Sequence, residues 1–122
     1  MAITESVADY LEAIMLLEAQ KNHVRAIDIA NYFGYSRPTV SQTLKAFKAK
    51  GYVEVGADSF VVLTDTGRQI AEATYERHVL LTNVLMAIGV SEENAKLDAC
   101  KLEHDISDET FQCLKRFYET RN

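Results

Sequence analysis

The residues of this chain best equipped for chemistry lie in one short run, Cys100-Lys101-Leu102-Glu103-His104. A thiol, a carboxylate and an imidazole at i, i+3 and i+4 share one face of a helix, because successive residues turn by about 100°. All three are good metal-ligand groups. A solvated charged face beside a buried cysteine would show the same letters, so the rest of the chain has to decide between the two.

The elements that must position this run follow from composition and patterning. With 122 residues, 48% of them hydrophobic, the chain can bury a real core as one ordinary domain or two small interdependent ones. No apolar run reaches membrane-spanning length, since the most apolar stretch, Val79 to Val90, contains Thr82, Asn83 and Gly89. Met1-Ala2-Ile3-Thr4-Glu5 lacks the basic and apolar regions of a signal peptide, which predicts a cytoplasmic protein. In a reducing compartment its two cysteines are free or metal-bound rather than paired. The net charge of −5 argues by itself against nucleic acid, but the charge is unevenly spread. Residues 1–20 sum to −4, residues 21–70 to +3 and residues 71–122 to −4, leaving a basic middle between acidic flanks.

Thr4 can cap a first helix running to about Gln20, with Glu5 in its first turn, where the helix dipole favours an acid. Val7, Tyr10, Leu11, Ile14 and Leu17 form its apolar stripe. Nearly opposite sit Asp9, Glu12, Ala13 and Leu16, which read either as a surface with one stray leucine or as a second interface holding acids near something positive. After the turn Lys21-Asn22-His23, a short helix from Ala26 to Phe33 stops at Gly34, a left-handed C-terminal signal. Ser36 then caps a third helix, with Pro38 in its first turn, that runs through Val40, Leu44 and Phe47 to Lys50. Two short helices joined by a tight glycine turn make a helix-turn-helix.

Tyr52-Val53-Glu54-Val55 and Phe60-Val61-Val62-Leu63-Thr64 read as strands around Gly56-Ala57-Asp58-Ser59, a hairpin. The predicted fold class is therefore mainly α with a small hairpin wing: a winged helix-turn-helix over residues 1–65, then a helical part over residues 66–122. Thr64 or Asp65 opens a long helix toward Ile88 that becomes apolar almost all round after Val79, as an internal strut or subunit contact would. Gly89 breaks it. Ser91 starts the helix bearing the Cys100 run, whose other face is Ala95, Ala99, Leu102 and Ile106. Ser107 caps a last amphipathic helix with Phe111, Leu114, Phe117 and Tyr118, and Cys113 near Phe117 reads as a packing residue.

A recognition helix works because its N-terminal side chains reach base edges while flanking cations and hydroxyls hold phosphates. The candidate DNA-binding residues are Ser36, Arg37, Pro38, Thr39, Ser41, Gln42 and Lys45, with Gln42 able to pair bidentately with adenine. Lys48 and Lys50 either help with phosphates or merely solvate the helix. A protein this acidic gains affinity by dimerising, which also implies a roughly palindromic double-stranded site.

Several motifs together resemble the iron- and manganese-dependent repressors typified by the diphtheria toxin repressor and the manganese transport regulator. They are Thr4-Glu5-Ser6-Val7-Ala8-Asp9-Tyr10-Leu11-Glu12-Ala13-Ile14, Asp28-Ile29-Ala30, Pro38-Thr39-Val40-Ser41-Gln42-Thr43, Leu63-Thr64 with Gly67-Arg68, Arg77-His78, and Ala99-Cys100 through Glu103-His104 to Ile106-Ser107-Asp108-Glu109. The resemblance covers nearly all of the chain. It implies a homodimeric repressor of metal-uptake or homeostasis genes, with a divalent metal as corepressor between the first helix, the long helix and the helix after it. The ligand positions it implies are Asp9, Glu12, His78, Cys100, Glu103 and His104; by itself His78 reads more readily as an interior histidine. Asp9 and Glu12 are similar to the manganese type and Cys100 to the iron type. Thr82 and Lys96 stand where iron sensors carry an ancillary glutamate and histidine, so that second site is expected to be missing; separately, the resemblance is to a short form expected to lack the SH3-like domain of the longer iron sensors. Mixed thiolate, imidazole and carboxylate donors suit Fe(II), Co(II) or Zn(II), and the carboxylates also suit Mn(II). Fe(II) or Mn(II) is the expected corepressor. The rival readings are a winged-helix regulator answering to a non-metal ligand or partner, and a metallohydrolase; against the latter, no separate base or oxyanion motif accompanies the cluster.

Overall fold

In the computed structural model the described residues are 5–121, and they form α1 (Glu5–Lys21), α2 (Ala26–Phe33), α3 (Arg37–Ala49), β1 (Val53–Val55), β2 (Val61–Leu63), α4 (Asp65–Ala87), α5 (Glu92–Asp105) and α6 (Asp108–Thr120). The expected Thr4 cap lies outside the described residues. The chain divides into two compact units, Met1–Glu72 and Ala73–Asn122, and the division falls within α4.

In the first unit the α1 stripe does what its spacing dictates. Tyr10, Leu11, Ile14 and Leu17 pack with Ile29 and Ala30 of α2, Val40, Leu44 and Phe47 of α3, and Val53, Val61 and Leu63 of the strands. Tyr10 stacks on Phe33 at 4.9 Å and meets Phe47 edge-on at 5.5 Å. Gly34 ends α2 at φ 74°, and its amide donates to the Ala30 carbonyl, which lets the chain reverse tightly into α3. The Ser36 hydroxyl accepts from the Thr39 amide at the start of α3.

The wing is a two-stranded antiparallel hairpin in the register Val53↔Leu63, Glu54↔Val62 and Val55↔Val61, with strands shorter than the sequence pattern suggests. The Val61 amide also donates to the Val24 carbonyl at 2.7 Å, so the α1–α2 turn braces the second strand. The Asp58 side chain accepts from the Phe60 amide and stabilises the turn at the tip. At the base, the Thr64 hydroxyl donates to the Gly51 carbonyl at 2.6 Å and accepts from the Gly67 amide at 3.1 Å. The first turn of α4 is thereby drawn so close to the strand that a Cβ on Gly67 would overlap the Tyr52 carbonyl oxygen. Arg68 completes the anchor on Glu18 of α1 at 3.1 Å. The Leu63-Thr64 and Gly67-Arg68 motif is thus the joint between wing and long helix.

In the second unit Leu81, Ala95, Ala99 and Phe111 are buried, with Thr74 and Thr82 buried among them. Thr82 is satisfied locally, its hydroxyl donating to the His78 carbonyl at 2.7 Å. Ser91 and Ser107 cap α5 and α6, each accepting from an amide three residues on. Two expectations fail here. Phe117, on the expected apolar face of α6, is 68% exposed. Cys113 is exposed too and takes a contact from Arg116 instead of packing in a core. Val79, Met86, Ile88 and Leu97 likewise keep apolar surface open in the single chain. No helix among the described residues is long and apolar enough to cross a membrane.

Candidate metal centre and nucleic-acid interface

The second unit gathers donors from two helices. His78, in mid α4, brings Nδ1 to 3.3 Å from Glu103 Oε2 and 3.8 Å from Cys100 Sγ. A donor atom from each of the three lies within 4.8 Å of the others. Ligands at ordinary bond lengths of about 2.0–2.3 Å around one ion stand about 3–4 Å apart, so this cluster fits a divalent cation. Glu103 is buried, His78 half-buried and Cys100 exposed, which leaves the thiol reachable from solvent. The other Glu103 oxygen, Oε1, lies 3.3 Å from His104 Nε2, so one carboxylate sits between two imidazoles.

The i, i+3, i+4 spacing on α5 brought Cys100, Glu103 and His104 onto one side, and the long helix supplied His78, which spacing alone could not have paired with them. In the first unit, Asp9 and Glu12 of α1 are half-buried beside the buried Ala13. The positions that resemblance assigned to an ancillary site hold other groups. Thr82 bonds within its helix, and Lys96 pairs with Glu92 at 3.5 Å.

The first unit presents α3 as the sequence pattern requires. Val40, Leu44 and Phe47 face inward, while Ser36, Arg37, Pro38, Thr39, Ser41, Gln42 and Lys45 are all exposed. The Ser36 and Thr39 hydroxyls are 2.8 Å apart and engaged in the cap, so Arg37, Ser41, Gln42 and Lys45 have the more available functional groups. A groove of about 560 Å³ runs beside α3, floored by apolar residues including Leu44, Val55 and Val61 and rimmed by Arg25, Arg37, Lys45 and Lys48. Arg25 was not among the sequence candidates. It stands just before α2, its amide donating to Asp28 at 2.9 Å, and its guanidinium lies 4.6 Å over the Phe60 ring. The basic excess of residues 21–70 was the only sequence signal for it. The wing tip, residues 56–59, carries no cation, but Arg25 ahead of α2 and Arg37, Lys45 and Lys48 of α3 line the same groove as Ser59. His23, which matched no motif, stacks on Phe60 at 4.5 Å.

Taken together, a helix-turn-helix with a hairpin wing and a helical unit whose converged His, Cys and Glu donors could hold a metal ion have the layout of a DNA-binding regulator with a sensing part. Residues 2–59 match the family model for the iron dependent repressor N-terminal DNA binding domain, and residues 64–121 match that for the iron dependent repressor metal binding and dimerisation domain. The chain is 36% identical over 113 residues to the transcriptional regulator MntR of Escherichia coli O6:H1, covering 93% of this chain and 73% of that protein. Among solved structures, a manganese-dependent transcriptional repressor in complex with manganese superposes with a TM-score of 0.77 at 31% identity over 90% of this chain and 51% of the other. The manganese regulator SloR does so with a TM-score of 0.79 at 26% identity over 98% and 55%. The chain thus spans about half the length of those two solved chains.

The chain belongs to the family of iron- and manganese-dependent repressors that includes MntR. It is a metal-dependent, DNA-binding transcriptional repressor and not an enzyme, with operator DNA and a second copy of itself as its partners. The match of residues 64–121 to a metal-binding domain sets aside a regulator that answers only to a non-metal ligand.

Proposed function

We propose that this repressor senses Fe(II) and silences metal-uptake or homeostasis genes in the cytoplasm when the metal is plentiful. The observation that carries the choice of metal is the Cys100 thiol, 3.8 Å from His78 Nδ1 in a cluster with Glu103. A thiolate is a softer donor than Mn(II) prefers, and it suits Fe(II) beside imidazole and carboxylate. Mn(II) is the second reading, favoured by the acids Asp9 and Glu12 and by the manganese-regulating relatives. The full proposed ligand set is His78, Cys100, Glu103 and His104, with Asp9 and Glu12 added on the sequence resemblance.

The chain's own residues set the conditions of binding. When bound, the metal supplies positive charge to compensate the thiolate and carboxylates. Cys100 must give up its proton to serve as a ligand, so affinity rises with pH. His78 must present Nδ1 unprotonated. On the DNA side, Gln42 reads base edges in the major groove, while Arg37, Ser41, Lys45 and the added Arg25 and Lys48 hold phosphates; Ser36, Pro38 and Thr39 set the N-terminal turn of α3 against the backbone. We divide the work between residues 1–65 for DNA and 66–122 for metal and self-association. The exposed Ile88 and Phe117 are the apolar surface we assign to the second copy, and a two-fold dimer calls for a roughly palindromic operator.

Moving the DNA-competent population from about 1% to about 99% takes a metal preference on the order of 10⁴ for that state. That shift strengthens operator binding about 100-fold, the ratio of the two competent populations, and reciprocity then requires operator DNA to tighten metal binding by the same factor of about 100. The test is operator binding titrated anaerobically with Fe(II), Mn(II), Co(II) and Zn(II). Fe(II) supporting half-maximal binding at a lower free concentration than Mn(II) is the expected result, and the reverse order would transfer the role to Mn(II). Equal metal affinity with and without operator would overturn the corepressor mechanism.

A further inference from the structure

The Arg77-His78 pair is only half absorbed by the metal centre, since His78 offers a donor atom and an arginine offers none to a cation. Within the second unit the Arg77 guanidinium is nonetheless heavily engaged. Its Nη1 donates to the main-chain carbonyl of Glu103 at 3.1 Å and makes a longer 3.5 Å contact with that of Ile106. Its Nη2 donates to Asp108 Oδ1 at 3.2 Å, and its carbon lies 4.8 Å from the centroid of the buried Phe111 ring. One side chain therefore joins α4 to the last turn of α5, the residue after it and the first turn of α6. The final carbonyls of a helix have no donor within it, and α5 ends at Ile106 in extended backbone. Arg77 supplies donors at that end.

The neighbouring residue on α4 meets the same residue of α5 at a different atom. His78 Nδ1 is 3.3 Å from the Glu103 carboxylate, while Arg77 holds the Glu103 main chain. Two attachments from consecutive residues fix the rotation of α5 about its axis as well as its position. That rotation decides whether Cys100 and Glu103 point toward His78 or past it, because each residue turns the helix by about 100°.

We infer that Arg77 is a positioning residue of the metal centre, a clamp on the end of α5 that sets the rotation at which Cys100 and Glu103 converge on His78. The inference rests on the reading of that cluster as the metal site. Arginine suits the task because its planar fork can bond carbonyl and carboxylate oxygens while its face lies on an aromatic ring, whereas lysine brings one compact ammonium.

The test is Co(II) loading of the full chain, followed through the thiolate-to-cobalt charge-transfer absorption and the visible d–d bands, in the wild type, Arg77→Lys, Arg77→Gln and Cys100→Ser. Replacing an outer partner of metal ligands typically costs about 10–100-fold in affinity. Arg77→Lys is expected to bind Co(II) about tenfold or more weakly, with a weaker charge-transfer band per bound ion and unchanged helical circular dichroism. Arg77→Gln is expected to lose more. If Arg77→Gln fails to fold, Arg77→Lys decides, with Asp108→Asn showing a smaller change of the same sign. Arg77→Lys with affinity within about twofold of wild type and unchanged bands overturns the inference, and so does a lowered melting temperature with wild-type bands and affinity. A wild-type chain lacking any charge-transfer band sensitive to Cys100→Ser overturns the metal centre itself, and this shows in the wild type before any Arg77 variant is compared.

Discussion

Replacing Glu103 by glutamine tests the centre at its most buried donor. Glu103 is 4% exposed, and its two oxygens stand 3.3 Å from His78 Nδ1 and 3.3 Å from His104 Nε2. Glutamine keeps the shape and removes the charge, and a buried amide costs less to desolvate than a buried carboxylate, so the metal-free variant keeps its fold. At a metal concentration of 100 times Kd, binding to the native state alone stabilises it by about 2.7 kcal/mol. For a chain of this length that raises the melting temperature by roughly 8–13 °C. If Glu103→Gln weakens binding about 100-fold, the same concentration contributes only about 0.4 kcal/mol, or roughly 1–2 °C. Scanning calorimetry at pH 8, anaerobic and with matched Fe(II) or Co(II), measures both shifts. A variant that keeps more than half of the wild-type metal-induced shift would refute Glu103 as a ligand.

Other outcomes follow from the remaining surfaces. Gln42→Ala should lose about 1–3 kcal/mol of operator binding and relax preference at one base pair, whereas Lys48→Ala should weaken all sequences alike and lower the salt slope by about one, both read from binding isotherms at several salt concentrations. Asp28 accepts from the Arg25 amide and from Lys21 at 2.9 Å each, and these bonds hold its carboxyl below the ordinary carboxylate value. A depressed folded pKa means that the contribution is present above the unfolded value near 3.9 and is lost as pH falls through the folded one. Asp28→Ala should therefore cost about 1 kcal/mol at pH 7, with the two melting temperatures converging on acidification. Phe117→Asp places a charge on an apolar surface that is 68% exposed, and sedimentation should show a shift toward monomer with weaker operator binding; an unchanged dimer would remove this face from self-association.

The helices, their caps and the wing were legible because each depends on neighbours a few residues away. Ser36, Ser91 and Ser107 cap the amides just beyond them, Gly34 turns at positive φ, and the period changes after Gly51 where the strands begin. The shared face of Cys100, Glu103 and His104 was legible for the same reason, since helical spacing is a local property. Phe117 and Cys113 were misread because a helical stripe says which residues face together and not whether anything within the same chain covers them.

By itself, then, the sequence determined a winged helix-turn-helix, a second helical part and one helix face shared by Cys100, Glu103 and His104, from short-range rules of spacing and capping, while the reading of that face as a metal site came from the family resemblance. Only the tertiary structure decided that His78 meets Cys100 and Glu103 across more than twenty residues of chain, that Arg25 joins Lys48 on the rim of the α3 groove, and that Arg77 holds the end of α5. Those pairings depend on how the helices of each unit pack and rotate against one another. Packing of that kind is set by complementary side-chain volumes brought together from distant positions, and no periodicity along a single helix specifies it.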